Sequence, residues 1–491
     1  MSGFVMAAQL ITGLALLVFV HEAGHFLAAR IFKVRVPKFY LFFNPTFSLV
    51  KCKKINGRWR FKFFGKNLPD MEAQTDENGK PVLDEKGKPK QKMIDLSSLS
   101  DDDWRKYPEN TEYGIGWLPL GGYCQIAGMI DETQSVENMS SEPQPWEYRA
   151  VPAWQRLIIT LGGVFVNLVV GVLLFALVIG KYEKQYLPND AVTDGIYAYE
   201  AARNMGFQTG DKIISVNGKT KERFKDIVSP KMFFGGIVIV ERSGKKMNIV
   251  IDDSAYALMK GGKTTFFVDA ANYAIIIDSV IKDLPADKAG MQKADKILSI
   301  NDTLPIFSYG SLTENLRLFP NQQISVACVR NADTVYLEIT PDSLGIIGIF
   351  CLPPSYHFKP YSIGQSIEYG WKDAMNAIYL NIKGLGKIVS GEEKTTSISG
   401  PIGIAQFFGK EWIWSRFWRL VGLLSVILAF MNLLPIPGLD GGHAIFTIVE
   451  LITGRKVSDK VLQAAQTVGM FILLLLMVFV LGNDIFKVIF N

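Results

Sequence analysis

Residues 21–25 read His21-Glu22-Ala23-Gly24-His25. On a helix the i, i+4 spacing puts both imidazoles on one face, where two ring nitrogens can reach one zinc ion. Glu22 stands beside them, placed to take a proton from an attacking water. The chain holds only four histidines, so two at this spacing carry information. Catalytic zinc commonly takes three protein ligands and keeps one position open. The remaining histidines are His357 and His443, but Asp440 is the better third ligand. It lies in the run Asn432-Leu433-Leu434-Pro435-Ile436-Pro437-Gly438-Leu439-Asp440-Gly441-Gly442-His443. The candidate set is therefore Glu22 as catalytic base, with His21, His25 and Asp440 as ligands of Zn2+.

The elements that must position these groups are apolar. A bilayer-spanning helix needs about 20 mostly apolar residues, and residues 2–20, 157–180, 420–439 and 461–482 each form an uncharged run. The His-Glu motif continues the first run directly. Ionisable groups there cost about 2.5–3.5 kcal/mol each on insertion scales, which makes them functional by default. With about 1.5 Å of rise per residue, His21 lies about 26 Å from Phe4, near the inner end of its span. Asp440 falls at the inner end of the third span, so the depths match. Pro435 and Pro437 break that helix, and a broken helix at membrane depth is suited to lining a site.

Lys33 to Lys66 holds ten basic residues and no acid, and Arg455, Lys456 and Lys460 follow the third run. Both loops therefore face the cytoplasm, and both termini and residues 181–419 face outward. No basic residue precedes the first run and no small-x-small site follows it, so it reads as a span rather than a leader.

The 491 residues are 48% hydrophobic and 20% charged, with a net charge of +5. This excludes disorder as the main state and favours a lipid-bilayer protein; no nucleic-acid partner is expected. Four scattered cysteines are too few for a disulfide framework. Residues 67–112 are hydrophilic, and Asp76-Glu77-Asn78-Gly79-Lys80-Pro81 is nearly repeated at 84–89, which reads as an exposed insert. Pro119, Leu120, Gly121, Gly122 and Tyr123 form a short apolar stretch, unsuited to a helix, that can dip into a membrane where protein shields it. Residues 206–218 recur as 290–302, an offset of 84, with aligned Asp211/Asp295 and Asn217/Asn301. Two copies of a small domain follow, and the turn-and-strand pattern resembles PDZ domains. Residues 362–391 have helical apolar periodicity.

The predicted fold is an α-helical membrane protein with four transmembrane helices, two periplasmic PDZ-like α+β domains and a re-entrant β segment. The expected division is 1–32 first span, 33–153 cytoplasmic and re-entrant β region, and 154–180 second span. The PDZ-like copies follow at 185–270 and 271–355. An amphipathic helical region at 356–415, a third span with the Leu-Asp-Gly motif at 416–442 and a fourth span at 461–490 complete it.

The His-Glu motif, the Asn432–His443 motif and the paired PDZ-like copies, in this order, resemble the site-2 protease family of intramembrane zinc metalloproteases, in the bacterial regulator-of-sigma-E protease branch. The resemblance covers nearly the whole chain. It implies zinc on His21, His25 and Asp440, and Glu22 as base. It also implies a re-entrant strand at Pro119, Leu120, Gly121, Gly122 and Tyr123, and Asn432 contacting substrate or an oxyanion. The implied substrates are single-pass membrane proteins, of the anti-sigma-factor type after trimming outside, and signal-peptide remnants. The implied location is the bacterial inner membrane. The 67–112 insert departs from the family pattern, and Gly162-Gly163-x-x-x-Asn167 matches its second-span motif only loosely. A membrane scaffold with recruitment modules and a metal transporter are the other classes. Metal uptake in vesicles separates the transporter. The PDZ-like pair reads either as a filter against bulky ectodomains or as a peptide-capturing module.

Overall fold

The computed structural model describes residues 2–68, 71–73, 91–94, 99–119, 121–129, 142–227, 235–252, 267–271, 275–352, 357–392 and 400–490. The chain divides into two compact units, one of Met1–Tyr182 with Ile363–Asn491, the other of Glu183–Ser362.

Among the described residues of the first unit, four helices are long and apolar enough to cross a membrane: Gly3–Ile31, Ala153–Glu183, Trp414–Leu433 and Lys460–Lys487. Helix α1 (Ser2–Ile31) contains no proline and runs unbroken through the His-Glu motif. Helix α2 (Ala153–Leu177) is the central one, packed against α1, α3 (Ile363–Val389), α5 (Trp414–Leu433) and α6 (Asp440–Thr453). Helix α4 is Pro401–Phe408 and α7 is Asp459–Phe490.

One element differs from the sequence reading. The third span ends at Leu433, not at 439 or 442, and the Leu-Asp-Gly motif sits on a turn leading into α6. Pro435 and Pro437 have no N–H to continue the helix, and Gly438 adopts φ +98, open to glycine at little cost. The loop expected between spans three and four is thus largely a 14-residue helix. In α3 the apolar residues Ile363, Ile367 and Ile382 are exposed, and the buried face is Ser366, Tyr369, Gly370, Ala374 and Ala377. Small side chains let α3 approach α2 closely, which in an apolar medium counts for more than side-chain hydrophobicity.

Between α1 and α2 lies a five-stranded sheet. Its strands are β1 (Lys38–Leu41), β2 (Phe43–Ile55), β3 (Arg58–Lys66), β4 (Glu112–Leu118) and β5 (Tyr123–Gln125). The order is β3-β2-β4-β1-β5, with β1 and β4 parallel and the other pairs antiparallel. One face is apolar: Phe39 packs edge-on against Phe19 and Phe26 of α1, at 5.7 and 5.4 Å between ring centroids. The other is charged, with Lys51, Lys53 and Glu112 buried. Strands Met71–Ala73 and Gln91–Met93 pair within the insert, whose residues 74–90 lie outside the described ones. The insert's end is anchored rather than loose: Trp104 is buried, and its carbonyl accepts from Lys53 Nζ at 3.0 Å.

The second unit contains two cores, one around Val238 and Val240, the other around Ile277, Ile297 and Val326. The two segments singled out by the sequence carry the same contacts. Arg242 bonds both carboxylate oxygens of Asp211 and the Gly206 carbonyl; Arg330 does the same with Asp295 and Gly290. Asn217 and Asn301 each accept a backbone N–H from the neighbouring strand. The Arg330 bidentate pairing holds the Asp295 carboxyl below the usual range. A depressed folded-state pKa stabilises above the unfolded value of about 3.9, and the gain disappears as pH falls through the folded value. Asp295→Asn should therefore speed hydrogen exchange in strands Ile275–Val280 and Ile324–Arg330 at pH 7. The difference from wild type should vanish well below pH 4; a difference persisting there would separate the effect from ionisation.

Candidate active site

The His-Glu motif works through what α2 places against it. A Cβ on Gly24 would lie 2.4 Å from the Gly162 carbonyl oxygen, and one on Gly163 would lie 2.5 Å from His25 Nε2. Glycines at these positions bring α1 and α2 into backbone contact. On the same face of α2, the Ile159 carbonyl accepts from His25 Nδ1 at 2.9 Å, and Asn167 Nδ2 lies 3.2 Å from His21 Nδ1. Asn167 is fully buried, and its Oδ1 has no partner among the described residues. With that oxygen turned to the ring, the amide accepts from Nδ1–H. Both imidazoles then carry their proton on Nδ1 and present the Nε2 lone pair inward.

The third donor arrives from α6, whose first residue is Asp440. His21 Nε2, His25 Nε2 and Asp440 Oδ2 form a triangle with all three edges at 3.3 Å. Three donors bonded at about 2.0–2.1 Å to a tetrahedral ion stand about 3.3–3.4 Å apart. His21 and His25 are buried, Asp440 nearly so, and Asp440 Oδ2 has no hydrogen-bond donor among the described residues. Three inward lone pairs at this spacing repel unless a cation lies between them. The residues therefore fit a zinc ion, by edge length and by donor chemistry. His21, His25 and Asp440 are the one set of three potential ligands found together among the described residues.

A cavity of about 400 Å³ opens beside the triangle. Glu22, Gly121, Gly122, Tyr123 and Asn432 line it, as do His443 and Gln466. The Cys124 N–H donates to the Glu22 carboxylate, and Asn432 Nδ2 lies 3.2 Å from His21 Nε2. Pro119 follows β4 and is not among the lining residues; Leu120 lies outside the described residues. Strand β5 is the sheet edge on the cavity side.

Sequence reasoning gave no role to Asn167, Gly163 or the Ile159 carbonyl. A signal for the first existed: one asparagine in an uncharged span is expensive unless employed. Ser425 Oγ on α5 donates to the Asn167 carbonyl at 2.7 Å, tying in the helix that carries Asn432. At the other end of this face Arg156 Nη2 donates to Glu450 on α6 at 2.5 Å, and its Nε donates to the Val151 carbonyl. Arg156 is 9% and Glu450 18% exposed. Glu450→Ala leaves a buried guanidinium without its carboxylate, a loss of about 3–5 kcal/mol. It should lower the unfolding temperature and, by releasing α6, the zinc retained through gel filtration. Leu at both positions should restore the temperature; unchanged zinc content in Glu450→Ala would show that α6 is held elsewhere.

The sequence profile of peptidase family M50 matches residues 9–78 and 103–476. Protease RseP of Yersinia pestis is 25% identical over 511 residues, spanning 97% of each chain. The regulator of sigma E protease of Haemophilus influenzae is 26% identical over 411 residues, 78% of this chain and 89% of its own. A candidate zinc metalloprotease of Neisseria meningitidis is 26% identical over 411 residues, 77% of this chain and 89% of its own. The match extends through the spans, the sheet and the motif turn alike, and the chain belongs to peptidase family M50, the site-2 proteases, as a membrane metalloprotease.

Proposed function

We propose that this protein hydrolyses a peptide bond within the transmembrane segment of single-pass membrane proteins, with zinc held by His21, His25 and Asp440. The observation that carries the reading is the 3.3 Å donor triangle at the end of an apolar helix, with Glu22 in the adjoining cavity. When bound, zinc supplies a Lewis acid that acidifies water and polarises a carbonyl. Glu22 takes the proton of the attacking water and returns it to the leaving amide nitrogen. Asn432 Nδ2 donates to the carbonyl oxygen as negative charge develops on it.

A helical substrate hides its carbonyls in its own hydrogen bonds, so it must first unwind. The edge of β5 and the preceding Gly121 and Gly122 offer backbone partners to the extended segment, a strand added to a sheet. The Haemophilus relative is named a regulator of sigma E protease, which supports an anti-sigma-factor type of substrate; in this reading the substrate is trimmed outside beforehand, in envelope stress signalling, and signal-peptide remnants are a second source. The basic residues between Lys33 and Lys66 support a cytoplasmic sheet in a bacterial inner membrane, with both termini and a PDZ-like pair outside. That pair excludes bulky ectodomains.

The test is cleavage of a single-span substrate by the purified protein, with and without a chelator. Cleavage lost on chelation and restored by zinc is expected; chelator-insensitive cleavage would overturn the metal assignment. Gly122→Pro should slow cleavage about tenfold or more with zinc retained, since proline cannot donate to a ladder; an unchanged rate would remove strand addition from the mechanism.

A further inference from the structure

We propose that the charged face of the β1–β5 sheet holds a binding site for a phosphate group, drawn from an anionic lipid headgroup or from free phosphate, in the cavity between Lys51, Lys62 and Lys66. The cavity measures about 280 Å³ and shares only Tyr123 with the proteolytic one. It is closed on one side by the sheet and on the other by the segment around Trp104.

Charge is the first argument. Among the described residues, Lys38, Lys51, Lys62, Lys66 and Arg105 face the cavity, against the carboxylates of Asp103 and Glu112. Both carboxylates are engaged. Asp103 accepts from Arg105 Nη2 at 2.6 Å, and Glu112 lies 3.6 Å from Lys51 Nζ while accepting from Tyr40 at 2.5 Å. Lys51 and Glu112 are about nine-tenths buried. The cations thus outnumber the carboxylates by three in a partly desolvated space, where like charges are weakly screened and an anion is strongly attracted. Lys62 Nζ donates to a neutral acceptor, the Asp102 carbonyl, and Lys66 Nζ has no acceptor among the described residues. A phosphate group presents several oxygens to several ammonium groups at once, which a halide cannot do.

The second argument concerns the source. Strand β3 alternates basic and aromatic residues, with Arg58, Arg60 and Lys62 on one face and Trp59, Phe61 and Phe63 on the other. The three aromatics are 52%, 60% and 72% exposed. Their strand follows α1, which ends beside Arg30. Phe61 lines an apolar cavity together with Phe19 of α1, and exposed aromatics beside a span sit at headgroup level, within reach of lipid phosphate.

The experiment titrates the full-length protein, in neutral detergent, with short-chain phosphatidylglycerol, short-chain phosphatidylcholine and inorganic phosphate by calorimetry. Zinc content and substrate cleavage are followed as controls for the fold. Wild type should take one phosphatidylglycerol per chain, and phosphatidylcholine far more weakly. Lys62→Gln with Lys66→Gln should weaken the phosphatidylglycerol about tenfold or more, whereas Arg at both positions should stay close to wild type. If inorganic phosphate binds as tightly and responds to the same variants, the site stands and its source is free phosphate. Failure of wild type to bind either anion overturns the proposal, as does equal binding by wild type and the Gln variant. Either result would assign the surplus charge to carboxylates of the chain itself.

Discussion

Glu22→Gln should retain zinc and lose cleavage. The substitution keeps the shape of the side chain and its capacity to accept the Cys124 N–H, and it leaves His21, His25 and Asp440 untouched. It removes the carboxylate beside the donor triangle that is placed to carry a proton away from water and deliver it to an amine. General base and acid transfer of this kind contributes about 10²–10⁴ in rate, so turnover of a single-span substrate should fall by about that factor at unchanged metal content. A variant that keeps zinc and cleaves within a few-fold of wild type would move the base elsewhere, His443 being the next titratable group in the cavity. Loss of zinc along with activity would instead make Glu22 a determinant of metal retention.

Gly163→Ala should abolish metal binding from a position that supplies no ligand. Its Cβ would stand 2.5 Å from His25 Nε2 and 2.6 Å from His21 Cε1, inside contact distance of both rings. The rings cannot swing away freely, since each is held through Nδ1 by α2 itself. Either the imidazoles turn, which breaks the triangle, or α1 and α2 separate, which draws Gly24 off Gly162. Loss of groups that orient ligands weakens metal about 10–100-fold, and displacement of two ligands together should exceed that range. Zinc affinity by competitive chelation is the measurement. Gly482→Ala, with open space around its Cβ, should leave affinity unchanged and serves as control. Wild-type affinity in Gly163→Ala would mean that the helices part at this point without disturbing the ligands.

His21, Glu22 and His25 are readable from sequence because one helix carries them, and helical spacing is local. The four spans are readable for a related reason: a bilayer demands continuous apolar length, which composition records directly. The matching contacts around Asp211 and Asp295 follow from two similar stretches of sequence folding by the same local rules. Asp440 joins the set only by an argument of depth, and its place at the head of a separate helix, after a turn shaped by Pro435, Pro437 and Gly438, depends on what those residues pack against. The proton positions on the two imidazoles depend on Ile159 and Asn167, more than a hundred residues away in the chain. Neither has a spacing that points to His21 or His25. On α3 the periodicity marks a helix without saying which face is covered: Ala374 is buried while Ile363, Ile367 and Ile382 are exposed, because among membrane helices the contact goes to small residues and lipid takes the large ones. Residue type and local period are properties of the chain; which α2 glycine meets which α1 backbone is a property of two helices in contact, and the 3.3 Å triangle exists only there.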